Sequence, residues 1–229
     1  MLKVGFIGLG TMGFPIAGHI SQSYETAVFN RTTNKSQKWT SEFKGEVCES
    51  IKDLALKSNV IFLCLSEDKD IEEIVLGSDG IMEHLNEETI VVDHSTTSVD
   101  TATLISNELL KKDSIYLDAP VSGGEVGAQN GTLSVMIGGD QAAYIGISSI
   151  LECYSAFHKY MGPSGNGQLT KMINQICIAG LLQALAEAAS FSKKSGISSK
   201  DVLEVISKGA AQSWQMENRW DSMIDDQYN

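Results

Sequence analysis

The chain has 229 residues, 42% of them hydrophobic, with 21 glycines and only 3 prolines, enough apolar material for one large core or two modest ones in a soluble globular protein. Seventeen Lys and Arg face 29 Asp and Glu, a formal net charge of -12. That balance repels a phosphate backbone and an anionic membrane, so neither nucleic acid nor a membrane surface is an expected partner without a local basic patch.

The first stretch, "KVGFIG", reads as a strand, followed by a glycine turn and a helix. Its apolar character therefore belongs to a fold and not to a targeting segment. Further β-type runs follow as "TAVFN", "NVIFLCL", "TIVVDHS", "SIYLDAP", "LSVMIGG" and "FHKYMG". Between them lie helix-compatible segments such as "NKSQKWTSEF", "DKDIEEIVL", "VDTATLISNELLKK" and "DQAAYIGISSILECY". Several strands are apolar throughout, as in a parallel sheet covered by helices on both faces. The expected class is α/β, a Rossmann-type doubly wound sheet over residues 1–162.

Pro163, Gly165 and Gly167 then mark a short connection, and residues 163–229 carry no strand signal. A helix of about 28 residues, roughly 40 Å long, is predicted from Gln168 to Ser195, with two shorter ones after it. Its apolar core, "ICIAGLLQALAEAASF", is shorter than the ~20 apolar residues that span a bilayer, so a buried helix is expected. So few following residues supply little to cover it, which predicts a homo-dimer or homo-tetramer, or a longer natural chain. Cys48, Cys64, Cys153 and Cys177 form no CxxC pair, and two sit in apolar runs. They predict reduced, mostly buried thiols in a cytoplasmic protein. No metal-ligand spacing occurs.

Gly8, Gly10 and Gly13 form G-x-G-x-x-G between the first strand and first helix. In such a turn the first glycine permits the bend, the second lets backbone approach a pyrophosphate, and the third packs helix on strand. The diphosphate is expected on the exposed N–H groups of the helix beginning near Thr11 and Met12, at a positive helix end, with Leu9 also among the cofactor-binding residues of the turn. An NAD site usually closes the second strand with an acid on the ribose 2'-hydroxyl. Here the strand ends Asn30, Arg31, Thr32. Cationic and hydroxyl donors suit a 2'-phosphate, so NADP(H) is the expected cofactor, with NAD(H) possible; the alternative is that Arg31 merely caps a loop.

Two strand ends, "LCLSED" and "VVDHSTTS", place Leu65, Ser66, Ser95 and Thr96 beside the nicotinamide half, although strand ends need polar punctuation anyway. In "DAPVSGG", Ser122, Gly123 and Gly124 offer a hydroxyl and two unencumbered N–H groups suited to a carboxylate; the alternative is a plain Gly-Gly turn. "GNGQLTKMINQ" puts Lys171 near the start of the long helix, with Asn174 and Gln175 at i+3 and i+4. Its ammonium either snorkels to solvent or serves as a proton donor to a carbonyl oxygen as hydride arrives at the carbon.

"GFIGLGTMGFPIA", "NRT", "DAPVSGG" and "GNGQLTKMINQ", in this order and spacing, closely resemble the β-hydroxyacid dehydrogenases. These include 3-hydroxyisobutyrate dehydrogenase and the tartronate, glyoxylate and succinic semialdehyde reductases, and are 6-phosphogluconate dehydrogenase-like. The resemblance implies an NADP(H)-dependent oxidoreductase acting on a small hydroxy carboxylic acid and its semialdehyde or oxo acid. It implies Lys171 as catalytic acid/base, Ser122, Gly123 and Gly124 as carboxylate holders, the Asn174 and Gln175 region as substrate-orienting, and Thr96 and the Arg31 turn as cofactor contacts. Two departures stand out. Ser66 occupies a position where many members carry proline, and family chains run several dozen residues further, through a Lys-Asp-Leu helix. The helical region is therefore expected to be incomplete, and a non-catalytic NADP-binding module or inactive fragment is the rival reading. An imine reductase on the same fold fits less well, because an ammonium at Lys171 repels an iminium.

Overall fold

The structure is a computed structural model describing residues 2–227. The first half of the chain supplies β1 (Lys3–Ile7), α1 (Gly13–Ile20), β2 (Glu25–Phe29), α2 (Thr33–Glu42), β3 (Glu46–Val47), α3 (Ile51–Lys57), β4 (Val60–Leu63), α4 (Asp68–Leu76), β5 (Ile90–Asp93) and α5 (Val99–Leu110). Then come β6 (Ile115–Asp118), β7 (Val121–Ser122), α6 (Gly124–Asn130), β8 (Leu133–Gly139), α7 (Gln141–Leu151), β9 (Ser155–Gly162), α8 (Asn166–Ser195), α9 (Ser199–Ile206) and α10 (Trp214–Ile224). Among these, β3, β7, α3 and α6 are short elements that the hydrophobic pattern alone does not announce.

Six strands in the order β3-β2-β1-β4-β5-β6 pair in parallel. The order reverses between β1 and β4, the place where doubly wound folds open a crevice at the carboxyl ends of the strands. Along the strands, alternate residues enter two different cores. Phe6, Phe62, Val92 and Leu117 join α1 and α7 on one face, while Ile7, Ile61, Val91 and Tyr116 join α3, α4 and α5 on the other. Two buried faces explain the uninterrupted apolar runs.

The far edge departs from a purely parallel sheet. β8 runs antiparallel to both β6 and β7, which lie end to end along one of its sides, and β9 pairs parallel on the other. Pro120 lacks an N–H, yet its carbonyl still accepts the Met136 N–H at 3.1 Å. The ladder therefore crosses the break and delivers Val121 and Ser122 just beyond the carboxyl end of β6.

By internal contacts the chain forms two units, Met1–Lys171 and Met172–Asn229. The start of α8 groups with the sheet, although the sequence signal for a connection falls at 162–167. The second unit has its own small core, in which Leu185, Ala189, Met216 and Trp220 are buried against Val202, Leu203 and Ile206. The Trp220 indole donates to the Ser199 carbonyl at 3.1 Å.

The expectation of a buried α8 is corrected. Leu169, Met172, Ile173, Ile176 and Phe191 are all exposed, because the residues after it form a core of only a few side chains. At 30 residues α8 is also long and apolar enough to cross a membrane by length and composition, contrary to the shorter segment read from the sequence. Lys171, Asn174, Gln175, Gln183 and Glu187 interrupt it, and such groups are expensive in hydrocarbon. The thiols need a similar correction: Cys48 is buried, but Cys177, on α8, is exposed.

Candidate active site

The glycine turn after β1 is built for close approach. Gly8 has φ +100°, and a Cβ there would lie 2.3 Å from the Cys64 carbonyl of the adjoining strand end. A Cβ on Gly13 would lie 2.0 Å from the Gly8 carbonyl, so α1 begins pressed against the turn. A Cβ on Gly10 would meet nothing within 4 Å, which leaves its backbone open on the side where a ligand would approach. No side chain caps α1 and no acid lies in its first turn. Its N-terminal N–H groups and partial positive charge suit an anion.

Asn30 ties this turn to β2. Its Oδ1 accepts the Leu9 N–H at 2.8 Å and its Nδ2 donates to the Thr32 carbonyl at 3.1 Å. The Leu9 side chain itself is buried in the core. A cavity of about 190 Å³ opens over Gly8, Gly10, Arg31, Thr32, Lys35, Leu65 and Ser66. Thr32 makes no cap bond to α2, and the first turn of that helix also lacks an acid. Arg31 is almost fully exposed and lies 3.9 Å from Asp70. Lys35, one turn along α2, is a cationic member of this cavity that strand-end reasoning did not single out.

At the other end of the crevice, the predicted strand-end residues divide. Thr96 and Ser66 are exposed, whereas Ser95 is buried. The Ser95 hydroxyl accepts the Leu65 N–H at 2.8 Å and its own N–H donates to Asp93 at 2.8 Å. Ser95 thus braces the ends of β4 and β5 against each other. Desolvation pushes the fully buried Asp93 carboxyl up to about 6, against the hydrogen bonds it accepts from Ser95 and Tyr116.

Ser122 follows on β7, and Gly123 and Gly124 adopt φ +135° and +62°. Both glycines are exposed, and a Cβ on Gly124 would find open space. Lys171 reaches this same turn: its Nζ donates to the Val121 carbonyl at 2.8 Å. It is half-buried, and desolvation lowers its pKa from the ordinary lysine value. The structure therefore brings Lys171 and the Ser122–Gly124 turn together. Asn174 and Gln175 lie further along α8 in the second unit, where the Asn174 amide donates to Gln175 at 3.0 Å.

His94, next to Ser95, is fully occupied. Its Nδ1 donates to the Ala119 carbonyl at 2.6 Å, which leaves Nε2 to accept the Tyr154 hydroxyl at 2.7 Å. Burial lowers its pKa from 6.5 to about 4. A neutral buried histidine stabilises the fold above pH 6.5, and that contribution is lost as pH falls through about 4. Asp93, shifted up, acts in the opposite sense over part of that range, so the His94 contribution is isolated by comparison with His94→Phe. The stability gap between wild type and this variant is expected to shrink by up to about 3 kcal/mol from pH 7 to pH 4. Calorimetry at four pH values checks it, and a constant gap would show that His94 does not titrate.

Family models match the two stretches of the chain in turn. Residues 3–162 match the NAD binding domain of 6-phosphogluconate dehydrogenase, and residues 165–229 match the NAD-binding family of NADP-dependent 3-hydroxyisobutyrate dehydrogenase. An uncharacterised oxidoreductase of Shewanella frigidimarina is 47% identical over 100% of this chain and 79% of its own length. The 2-hydroxy-3-oxopropionate reductase of Escherichia coli is 31% identical over 100% of this chain and 78% of its own. Among solved structures, Mycobacterium tuberculosis 3-hydroxyisobutyrate dehydrogenase with L-serine superposes with a TM-score of 0.87 at 25% identity, covering 96% of this chain and 75% of that one. Psf3 in complex with NADP+ and 2-OPP does so with a TM-score of 0.90 at 27% identity, covering 99% and 80%. With a nucleotide-type crevice over the glycine turn and both halves of the chain matched, the protein belongs to the β-hydroxyacid dehydrogenase family of NAD(P)-dependent oxidoreductases.

Proposed function

We propose that this chain reduces a small semialdehyde or oxo acid to the corresponding 3-hydroxy or 2-hydroxy carboxylic acid, and runs the reverse oxidation, with NADP(H) preferred over NAD(H). The observation that carries the reading is the Lys171 ammonium held 2.8 Å from the Val121 carbonyl, one residue before the Ser122–Gly124 turn. When bound, the reduced nicotinamide supplies the hydride. The Ser122 hydroxyl and the Gly123 and Gly124 N–H groups hold the substrate carboxylate, and Lys171 Nζ gives its proton to the carbonyl oxygen as charge develops there. Val121 accepts one of the three ammonium protons, which aims the other two.

For the cofactor, the uncapped start of α1 takes the diphosphate, with Gly10, Thr11 and Met12 contributing backbone contacts, while Leu9, whose N–H is given to Asn30 Oδ1, shapes the turn. Arg31, Thr32 and Lys35 take the 2'-phosphate; support comes from their shared cavity and from an α2 first turn free of acids. Leu65, Ser66 and Thr96 border the nicotinamide half, with Ser95 supporting that loop from behind. The E. coli relative's name and the L-serine bound to the M. tuberculosis neighbour support a short carboxylate substrate. The exposed apolar stripe on α8 supports a homo-oligomer, and four free cysteines are compatible with a reducing cytoplasm.

NADPH oxidation by the purified chain, followed by absorbance, tests this with glyoxylate and with tartronate, succinic and methylmalonate semialdehydes, each repeated with NADH. Turnover with one of these acids, faster with NADPH, is the expected result. NADPH binding without turnover on any of the four would instead support the rival reading of a dinucleotide-binding module.

A further inference from the structure

Between the strand ends and the proposed proton donor lies a buried polar assembly that neither cofactor nor substrate needs to touch. Asp118, the last residue of β6, is fully buried. Its Oδ1 accepts the Gly165 N–H at 2.8 Å and its Oδ2 accepts the Gln168 N–H at 2.9 Å. These are donors at the start of α8 that have no partner within the helix, so a carboxylate from a different element caps it. Gln168, equally buried, donates from Nε2 to the Ser95 carbonyl at 2.8 Å and accepts the Thr97 N–H at 3.2 Å. Ser95 in turn holds Leu65. The ends of β4, β5 and β6 are thereby fastened to the first turn of α8, with Lys171 one turn further on.

The surrounding packing leaves this assembly no slack. A Cβ on Gly138 would come 2.5 Å from Asp118 Oδ1, and one on Gly167 would come 2.4 Å from the Asp118 carbonyl oxygen. Burial raises the Asp118 pKa and the N–H groups of Gly165, Gln168 and Gly167 oppose that rise. Desolvation lowers the Lys171 pKa, and its Nζ is held by the Val121 carbonyl at 2.8 Å. Its ammonium therefore depends on where the helix start is held.

We infer that Asp118 and Gln168 are positioning residues: together they set the first turn of α8 so that Lys171 Nζ meets the substrate carbonyl over the Ser122–Gly124 turn. The inference rests on the proposed function for its catalytic consequence, but not for its structural one. Asp118→Asn keeps the side-chain shape yet turns an NH2 toward one of the two N–H groups. Gln168→Glu replaces the Nε2 donor with an oxygen facing the Ser95 carbonyl. Both substitutions are expected to lower kcat by about tenfold or more through misplacement of the proton donor, with the NADPH Kd changed by less than about twofold.

The second readout is independent of turnover. Amine-selective labelling of the whole protein across a pH series, with Lys171 read by mass spectrometry, gives the titration of that ammonium directly. In both variants its midpoint is expected to move toward that of an ordinary lysine, as a loosened turn admits water. Unchanged kcat together with an unchanged labelling midpoint, in variants that stay folded by circular dichroism, would overturn the inference. If Asp118→Asn fails to fold, Gln168→Glu carries the same comparison; should both fail, Gln168→Asn, which keeps the amide but shortens its reach, takes their place. A shifted labelling midpoint in an enzyme whose Lys171→Ala variant keeps full activity would sink the proposed function and leave the positioning role standing.

Discussion

Lys171→Ala is expected to lower kcat by about 100-fold or more, the ordinary cost of losing a general acid, while NADPH binding stays within about twofold. The two halves of that expectation come from different parts of the fold. Lys171 contacts the Val121 carbonyl beside the Ser122–Gly124 turn, whereas the cavity over the glycine turn is lined from the ends of β1, β2 and β4 and from α2 and α4, without it. The pH dependence follows from the direction of its shift. Reduction requires the ammonium, so its rate falls as pH rises through a pKa below the usual lysine value; oxidation requires the free amine and gains over the same interval. Lys171→Arg keeps the charge but cannot release a proton at any accessible pH, so it is expected to bind substrate and to fail in both directions. Stopped-flow single-turnover rates with NADPH and the best semialdehyde measure this apart from product release. An alanine variant within about threefold of wild type would assign the proton to water or to another group.

The fold was legible because its signals are redundant. Strand, glycine turn, helix and second strand occur in order, and two-sided burial makes each parallel strand apolar along its whole length, as at Ile61, Phe62 and Leu63. The sheet's far edge was not legible. Val121 and Ser122 make too short a strand for any periodicity, and Pro120 before them hides the continued ladder. The candidate site was legible where a residue's own local geometry marks it, as where Gly8 takes a positive φ and Lys171 reaches the Val121 carbonyl beside the Ser122–Gly124 turn. It was obscured where a side chain acts through another. Ser95 looks like a ligand-facing hydroxyl in sequence, yet it is buried and bonded to Leu65. Gln168 looks like helix filler, yet it joins three segments separated by dozens of residues, and local spacing carries no information about such closure. The apolar run in α8 misled in the other direction, since composition reports the tendency to be buried and not the material available to do it.

Replacing Arg31 and Lys35 together by alanine is expected to lower kcat/KM for NADPH by about 100-fold or more while leaving NADH within about threefold, each lost charge-assisted bond being worth about 1.5 to 3 kcal/mol. The contrast with NADH matters more than the loss. A 2'-phosphate is the only part of the cofactor that NADH lacks, so a cation that merely closes the loop would affect both alike. Arg31 does have such a loop role available, because Asp70 lies 3.9 Å away. With 89% of the Arg31 side chain exposed, that pair is screened and contributes little, so the guanidinium is free to turn toward an incoming dianion. Asp70→Asn separates the two roles. If Arg31 serves the phosphate, removing the competing carboxylate tightens NADPH modestly and leaves NADH unchanged, and raising the salt concentration weakens NADPH in both proteins. If Arg31 serves the loop, Asp70→Asn reproduces the Arg31→Ala phenotype with both cofactors. Fluorescence titration of the two dinucleotides against these variants decides between them, because only the first outcome requires the strand that ends Asn30, Arg31, Thr32 to be reading a phosphate.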